Sequence, residues 1–166
     1  EEFIKLHCVH KALVFVDSGD NAHEVYRETA KRGWKCAKGS GAEDFATTDK
    51  DNKTTRRFYS DKQRILVPGL TQRAELVVWS NLAGKDLLHG LRSRKLHTYG
   101  RDASPEYVEQ VNSEVRVKDR RTGKPMWILP QGKKDNHALD CELLCLLSAV
   151  RWGIVGREPA EQETVE

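Results

Sequence analysis

No stretch of this 166-residue chain approaches the ~20 apolar residues of a membrane span. The longest apolar run, residues 143–150, reads as about two turns of buried helix. A Walker A pattern, GxxxxGK[ST], is also missing, which argues against an NTP motor within the chain. Lys38-Gly39-Ser40-Gly41 is too short and lacks the Lys-Ser/Thr ending. There is no GxSxG and no HExxH, so the nucleophile-elbow hydrolases and the zincins are set aside. The four cysteines form no CxxC pair, which argues against a zinc site. Cys141 and Cys145, one helical turn apart in an apolar segment, are expected as buried, reduced thiols in a reducing compartment. A strong charge of one sign is lacking too. With 28 Lys+Arg against 25 Asp+Glu the net charge is +3, so any polyanion-binding surface has to be local. The chain begins Glu1-Glu2 without Met and carries no signal peptide, as a fragment or processed piece would.

What is present is the pattern of one soluble α/β domain over residues 1–155, followed by a flexible acidic tail, 156–166. Residues 12–16 read as a strand rich in β-branched and aromatic side chains. Ser18, Asp20 or Asn21 can cap the helix that follows, and Ala22, Val25, Tyr26, Thr29 and Ala30 give its amphipathic stripe. Gly33 ends it, and residues 34–38 read as a second strand, parallel to the first. Residues 39–55 are polar, lack periodicity and are expected as a long loop. Short strands follow at 57–59 and 65–67, and a firmer one at 75–79. Ser80 or Asn81 then caps a helix with Gly84, Leu87, Leu88 and Leu91 inward. Ser104-Pro105 starts another helix, packed through Tyr107, Val108 and Val111. Residues 115–119 and 125–129 flank a basic tip and read as a hairpin. The last helix covers about 136–151. The four tryptophans are expected in the core.

Two acids stand out by context. Asp17 closes the apolar run Ala12-Leu13-Val14-Phe15-Val16, and a carboxylate at the carboxyl end of a buried strand faces the crevice where α/β sheets bind ligands. It could equally cap the next helix; Gly19 beside it lets the backbone turn tightly and keeps the acid open to a ligand. Asp140 lies in the first turn of the last helix, favoured there by the helix dipole or by a metal. Together the two would make a hard oxygen site suited to Mg²⁺ or Mn²⁺. Asp20 could cap, or reach the same metal through water. Glu142 is about 200° around the helix from Asp140, so it is read as a solvated or supporting acid. His137 and Asn136, just ahead of Asp140, are structural or orient an attacking water or a phosphate. The basic residues Arg116, Lys118, Arg120, Arg121 and Lys124 on the hairpin, with Lys133 and Lys134 after it, would hold a nucleic-acid backbone without reading sequence.

Several segments taken in order resemble one family. VDSGDNAHEVYR, a strand ending in Lys38-Gly39, WSNLAGKDLLHGLR, YVEQVNSE, and then Trp127 followed by NHALDCELLCLLSA resemble the carboxyl-terminal nuclease region of tailed-phage terminase large subunits of the lambda gpA type. The matches span residues 12–150. The resemblance implies an RNase H-like α/β fold, a mixed sheet flanked by helices, that cuts concatemeric double-stranded viral DNA during genome packaging. It implies two divalent ions held by acids, which stabilise the attacking and leaving oxygens of an in-line displacement. By motif, Asp17 matches the acid at the end of an inner strand and Asp140 that of the late helix. Glu114, in Asn112-Ser113-Glu114, is either a further ligand or structural. The terminase small subunit and the portal are the partners it implies, and the cytoplasm of an infected bacterium the place. In this family a further aspartate precedes the VDSG-like segment. Only residues 1–11 precede it here, so that acid, its amino-terminal strands and the ATPase part are expected to be missing. The alternative is a non-catalytic DNA-binding or assembly remnant of such a subunit.

Overall fold

The computed structural model describes residues 2–48, 50–132 and 135–155. After a short helix α1 (Glu2–Leu6) and a 3-10 turn (Lys11–Leu13), strand β1 (Phe15–Asp17) leads into helix α2 (Ala22–Arg32) and strand β2 (Lys35–Ser40). Strands β3 (Phe45–Thr48), β4 (Thr54–Arg57), β5 (Gln63–Leu66) and β6 (Arg73–Ser80) follow. Helices α3 (Asn81–Ser93) and α4 (Pro105–Val111), strands β7 (Val115–Lys118) and β8 (Pro125–Ile128), and helix α5 (His137–Arg151) complete it.

The central sheet has the order β1-β2-β6-β5. The first three strands are parallel and β5 is antiparallel, so the expected mixed α/β sheet is present. Alternation along β2 and β6 explains the layers. Cys36 and Leu76, paired across the sheet, face α2 with Ala30, while Ala37 and Val77, the next pair, face Leu147 of α5. Both faces are therefore covered, as a parallel sheet requires. α3 packs on α5 through Leu88, Leu91, Leu139, Leu143 and Leu146. Gly84 lies in this contact, where a Cβ would touch Leu143 and Phe58 at ordinary contact distance, 3.6 Å. Burying one such leucine stabilises the fold by roughly 1.5–3 kcal/mol.

Several expectations need correction. Residues 39–55 are not a loop: β2 runs on to Ser40, and β3 and β4 pair as a separate antiparallel ribbon. Its pairing is carried by threonines, Thr47 opposite Thr55 and Thr48 opposite Thr54, so it shows no hydrophobic period. Residues 11–13 form a 3-10 turn ahead of a shorter β1. Neither Ser18, Asp20 nor Asn21 caps α2 with its side chain. Ser18 Oγ donates instead to Ala37 O (3.1 Å), and Asn21 takes a left-handed conformation, φ 46°. Cys141 and Cys145 are free thiols as expected but exposed, because the buried stripe of α5 runs through 139, 143, 146 and 147. Trp152, just past that helix, is exposed as well, while Trp79 is buried. The tail 156–166 lies outside the described residues, as do Lys133 and Lys134.

Candidate active site

Asp17 ends β1 at its carboxyl end, opposite Ala37 and three residues short of Ser40 and Ser80, where β2 and β6 end. Its strand is pinned just beyond it. Ser18 is fully buried, and both its N–H (2.8 Å) and its hydroxyl (3.1 Å) donate to Ala37 O. The Asp17 carboxylate stays exposed and accepts from Gly19 N (3.0 Å). Gly19 does not adopt a positive φ, and a Cβ there would touch Asp17 only at ordinary contact distance, 3.5 Å. Its amide, rather than its flexibility, fixes the acid.

Asp140 comes from the other side, on the first turn of α5, half-buried. α5 contacts β1, and the charge of Asp17 at the end of that strand is felt at Asp140. The N-terminus of α5 is capped from α4, where Gln110 Oε1 accepts from Ala138 N (3.1 Å). Burial raises the Asp140 carboxyl above its ordinary range; Lys85 opposes the rise, and the charges of Glu114 and Asp17 add to it. The charge of Asp17, far away in sequence, thus reaches Asp140.

Glu114 joins them with an occupied carboxylate. Both of its oxygens accept from Lys85 Nζ (2.7 and 2.6 Å), and Oε1 also accepts from Asn136 Nδ2 (2.8 Å). The pair is desolvated, with side chains 5% (Glu114) and 12% (Lys85) exposed. Asn136 therefore does not cap α5 with its side chain; its amide is engaged on Glu114. Lys85 is absent from the sequence expectations, yet a signal existed. It lies three residues before Leu88, so a lysine sits on the inward stripe of α3.

Other expected residues fall elsewhere. Asp20 is exposed and accepts from Asn21 N (2.9 Å), a contact within its own loop. His137 is highly exposed and pairs at 3.8 Å with Asp135. Glu142 is not a solvated acid. It is largely buried, accepts from the Tyr107 hydroxyl, and lies 2.6 Å from His97 Nε2 and 3.9 Å from Arg92. Burial and that acid push the Tyr107 hydroxyl up. This network ties α4 and α3 to the far side of α5, as the 200° offset required.

The basic hairpin forms as expected, and its charges divide. Arg116 makes a bidentate pair with Asp86 of α3 (2.8 and 3.1 Å), and Trp127 Nε1 donates to the same acid (2.8 Å). Burial raises the Asp86 carboxyl, and these two partners more than reverse it. Lys124 pairs with Glu43 (2.7 Å). At the tip, Asp119 Oδ1 accepts from Arg121 N (2.7 Å) and Thr122 N (3.2 Å), and Gly123 takes φ 68°. That closed turn presents Arg120 and Arg121, with Lys118 below them, exposed and without an ion pair among the described residues. A groove of about 460 Å³ runs between Lys124–Trp127, the end of β2 and Lys85.

A protein-family model, the endonuclease domain of the terminase large subunit gpA, matches residues 7–158. The chain belongs to that family. This terminase endonuclease domain is thereby related to DNA packaging, with DNA as the substrate class the family implies. Comparisons with curated proteins and with solved structures each found no match. No described helix is long and apolar enough to cross a membrane. Among the described residues, no three His, Cys, Asp or Glu side chains gather closely enough to hold a metal ion.

Proposed function

We propose that this domain is a divalent-metal-dependent endonuclease of RNase H-like type, cutting double-stranded viral DNA for packaging, with Asp17 and Asp140 at its centre. The observation that carries this is that α5 contacts β1 and that the charge of Asp17, at the end of that strand, adds to the raised carboxyl of Asp140 in the first turn of α5. Hard oxygen donors under mutual repulsion fit a cation. Two carboxylates suit Mg²⁺ or Mn²⁺ completed by water and phosphate oxygens, not an all-protein cage. Such an ion would supply charge neutralisation at the phosphodiester and a more acidic attacking water.

The protein's own share follows from position. Asp17 is fixed by Ser18 and Gly19, and Asp140 by packing of α5 behind it, so both carboxylates are pre-set. Asp140, half-buried with its carboxyl raised, would share the ion with Asp17. Arg120 and Arg121 bind phosphates of the duplex without base contacts. Asp20 and His137, solvated at the rim, assist at most through water. The small subunit and portal are partners, and the cytoplasm of the infected host the setting.

A second reading has its own observation. The absence of a three-ligand cluster among the described residues favours a DNA-binding or assembly module without cleavage. Incubating supercoiled plasmid with the wild type, Asp17→Asn and Asp140→Asn in Mn²⁺ separates the two. Nicking by the wild type alone, with DNA binding kept in both variants, supports the nuclease. Salt-sensitive binding without nicking by any of the three supports the module.

A further inference from the structure

On the α5 side of the central sheet the apolar pairing reaches back only to Ala37 and Val77, under Leu147. Two residues earlier the same side turns charged, since side chains alternate with a period of two. Lys35 of β2 and Arg64 of β5 both stand opposite Glu75 of β6, and Leu66 stands opposite Arg73. Ile65 and Ala74, the positions between, face α2 with Ala30 and Cys36. Two lysines take the Glu75 carboxylate: Oε2 accepts from Lys35 Nζ (3.2 Å) and Oε1 from Lys62 Nζ (2.9 Å). Arg64 and Arg73 are exposed and carry no ion pair among the described residues. Four cations against one acid leave a local excess of three, as large as the +3 of the whole chain. A groove of about 510 Å³ opens at this end of the sheet, lined by Gly33, Trp34, Arg64, Thr71, Gln72 and Arg73.

We propose that this face is a second DNA contact, in which Arg64 and Arg73 hold phosphates of one strand of a duplex without reading its sequence. The two arginines are diagonal neighbours across β5 and β6, a relation that sets Cβ atoms about 7–8 Å apart. One DNA strand advances about 3.4 Å per nucleotide, so this spacing suits phosphates two nucleotides apart. The arginines repel one another in the free protein, and the carboxylate next to both is already taken. A guanidinium offers phosphate a planar fork of donors, which makes the pair more than a solvated charge run. Lys35 and Lys62, shared with Glu75, contribute field rather than direct contacts. The hairpin borders the opposite ends of the strands, near Ser40 and Asn81. β6 runs from Arg73 to Ser80, a rise of about 23 Å, so the two cationic surfaces act independently. This inference rests on DNA being the substrate.

The test is fluorescence anisotropy of a labelled duplex across about 50 to 200 mM salt. The wild type is compared with Arg64→Ala plus Arg73→Ala, with Arg120→Ala plus Arg121→Ala, and with all four substitutions together. Each lost phosphate contact lowers the slope of log affinity against log salt by about 0.9, so the sheet variant should fall by about 1.8 and the fourfold variant by about 3.6. A sheet variant parallel to the wild type, beside a tip variant that falls, overturns this inference and leaves DNA binding intact. Absence of binding by the wild type at every salt concentration overturns both. Arginines on an edge strand such as β5 also serve to keep that edge from pairing with another chain. Self-association of the sheet variant in sedimentation velocity, at an unchanged slope, would assign them that role and overturn the inference. Binding of a labelled hexaglutamate peptide that is lost in the sheet variant, again at an unchanged DNA slope, would assign the face to an acidic protein segment and overturn it too. Should the alanine pair fail to fold, Arg64→Gln with Arg73→Gln removes the charge and keeps polar side chains. The same fall is expected there, and an unchanged slope counts against the proposal.

Discussion

Replacing Arg120 and Arg121 together by alanine should lower the salt dependence of DNA binding by a definite amount. The structure decides which cations are free to meet phosphate. Arg116 is engaged on Asp86 and Lys124 on Glu43, whereas the two arginines of the tip carry no partner among the described residues. Each phosphate contact contributes about 0.9 to the slope of log affinity against log salt, so losing two lowers the slope by about 1.8. Across about 50 to 200 mM salt, the affinity gap between wild type and double variant should therefore narrow by about tenfold. Fluorescence anisotropy of a labelled duplex, titrated at four or five salt concentrations, measures this directly. Arg116→Ala serves as the contrast. Its guanidinium is already neutralised, so the slope should stay close to that of the wild type. Parallel lines for the wild type and the tip variant, or an equal fall for Arg116→Ala, would refute the division of the hairpin into free and engaged charges.

Other outcomes follow from the same contacts. Leu147→Ala opens a hole against Ala37, Val77 and Trp79 and should cost about 2–5 kcal/mol in urea unfolding. Asp140→Asn in chelator should raise Tm at neutral pH, because the wild-type carboxyl is raised and its charge opposes folding above the ordinary carboxylate value of 3.8. The difference should fade as pH falls below that value; a variant less stable at neutral pH would contradict the assignment. Asp86 has the opposite sign. Its carboxyl is lowered, so its stabilisation is complete above the unfolded value of 3.8 and is lost as pH falls through the lower folded value. Trp127 fluorescence should report the hairpin leaving α3 in that acid window, and Asp86→Ala should show the released signal already at neutral pH.

The sequence made the βαβ unit legible because most of its cues agree, the side-chain cap of α2 apart. The apolar end of β1, the stripe on α2, the glycine at its C-terminus and the alternation of β2 point one way, and the structure follows. The Ser104-Pro105 start and the α3 cap were legible for the same reason: Ser104 Oγ accepts from Tyr107 N and Ser80 Oγ from Ala83 N. The ribbon at β3 and β4 was hidden, since its threonine pairs carry no hydrophobic period in the sequence. In the candidate site, Asp17 and Asp140 were readable as a strand end and a helix start. Their electrostatic link depends on the contact of α5 with β1, which no local pattern encodes. Lys85 was hidden for another reason. A lysine among leucines reads as a solvated edge until its partner is known, and Glu114 lies 29 residues away. The hairpin charges show the limit of charge counting, since two of its cations are matched by acids at positions 43 and 86.

The most direct test of a shared site at Asp17 and Asp140 is to load the protein with Fe²⁺, add ascorbate and peroxide, and map the backbone cuts by mass spectrometry. One ion between β1 and α5 predicts two groups of cuts, near residues 17–19 and 136–140, that vanish together in either Asp17→Asn or Asp140→Asn. Cuts at only one of these segments, or cuts that survive both substitutions, would contradict it.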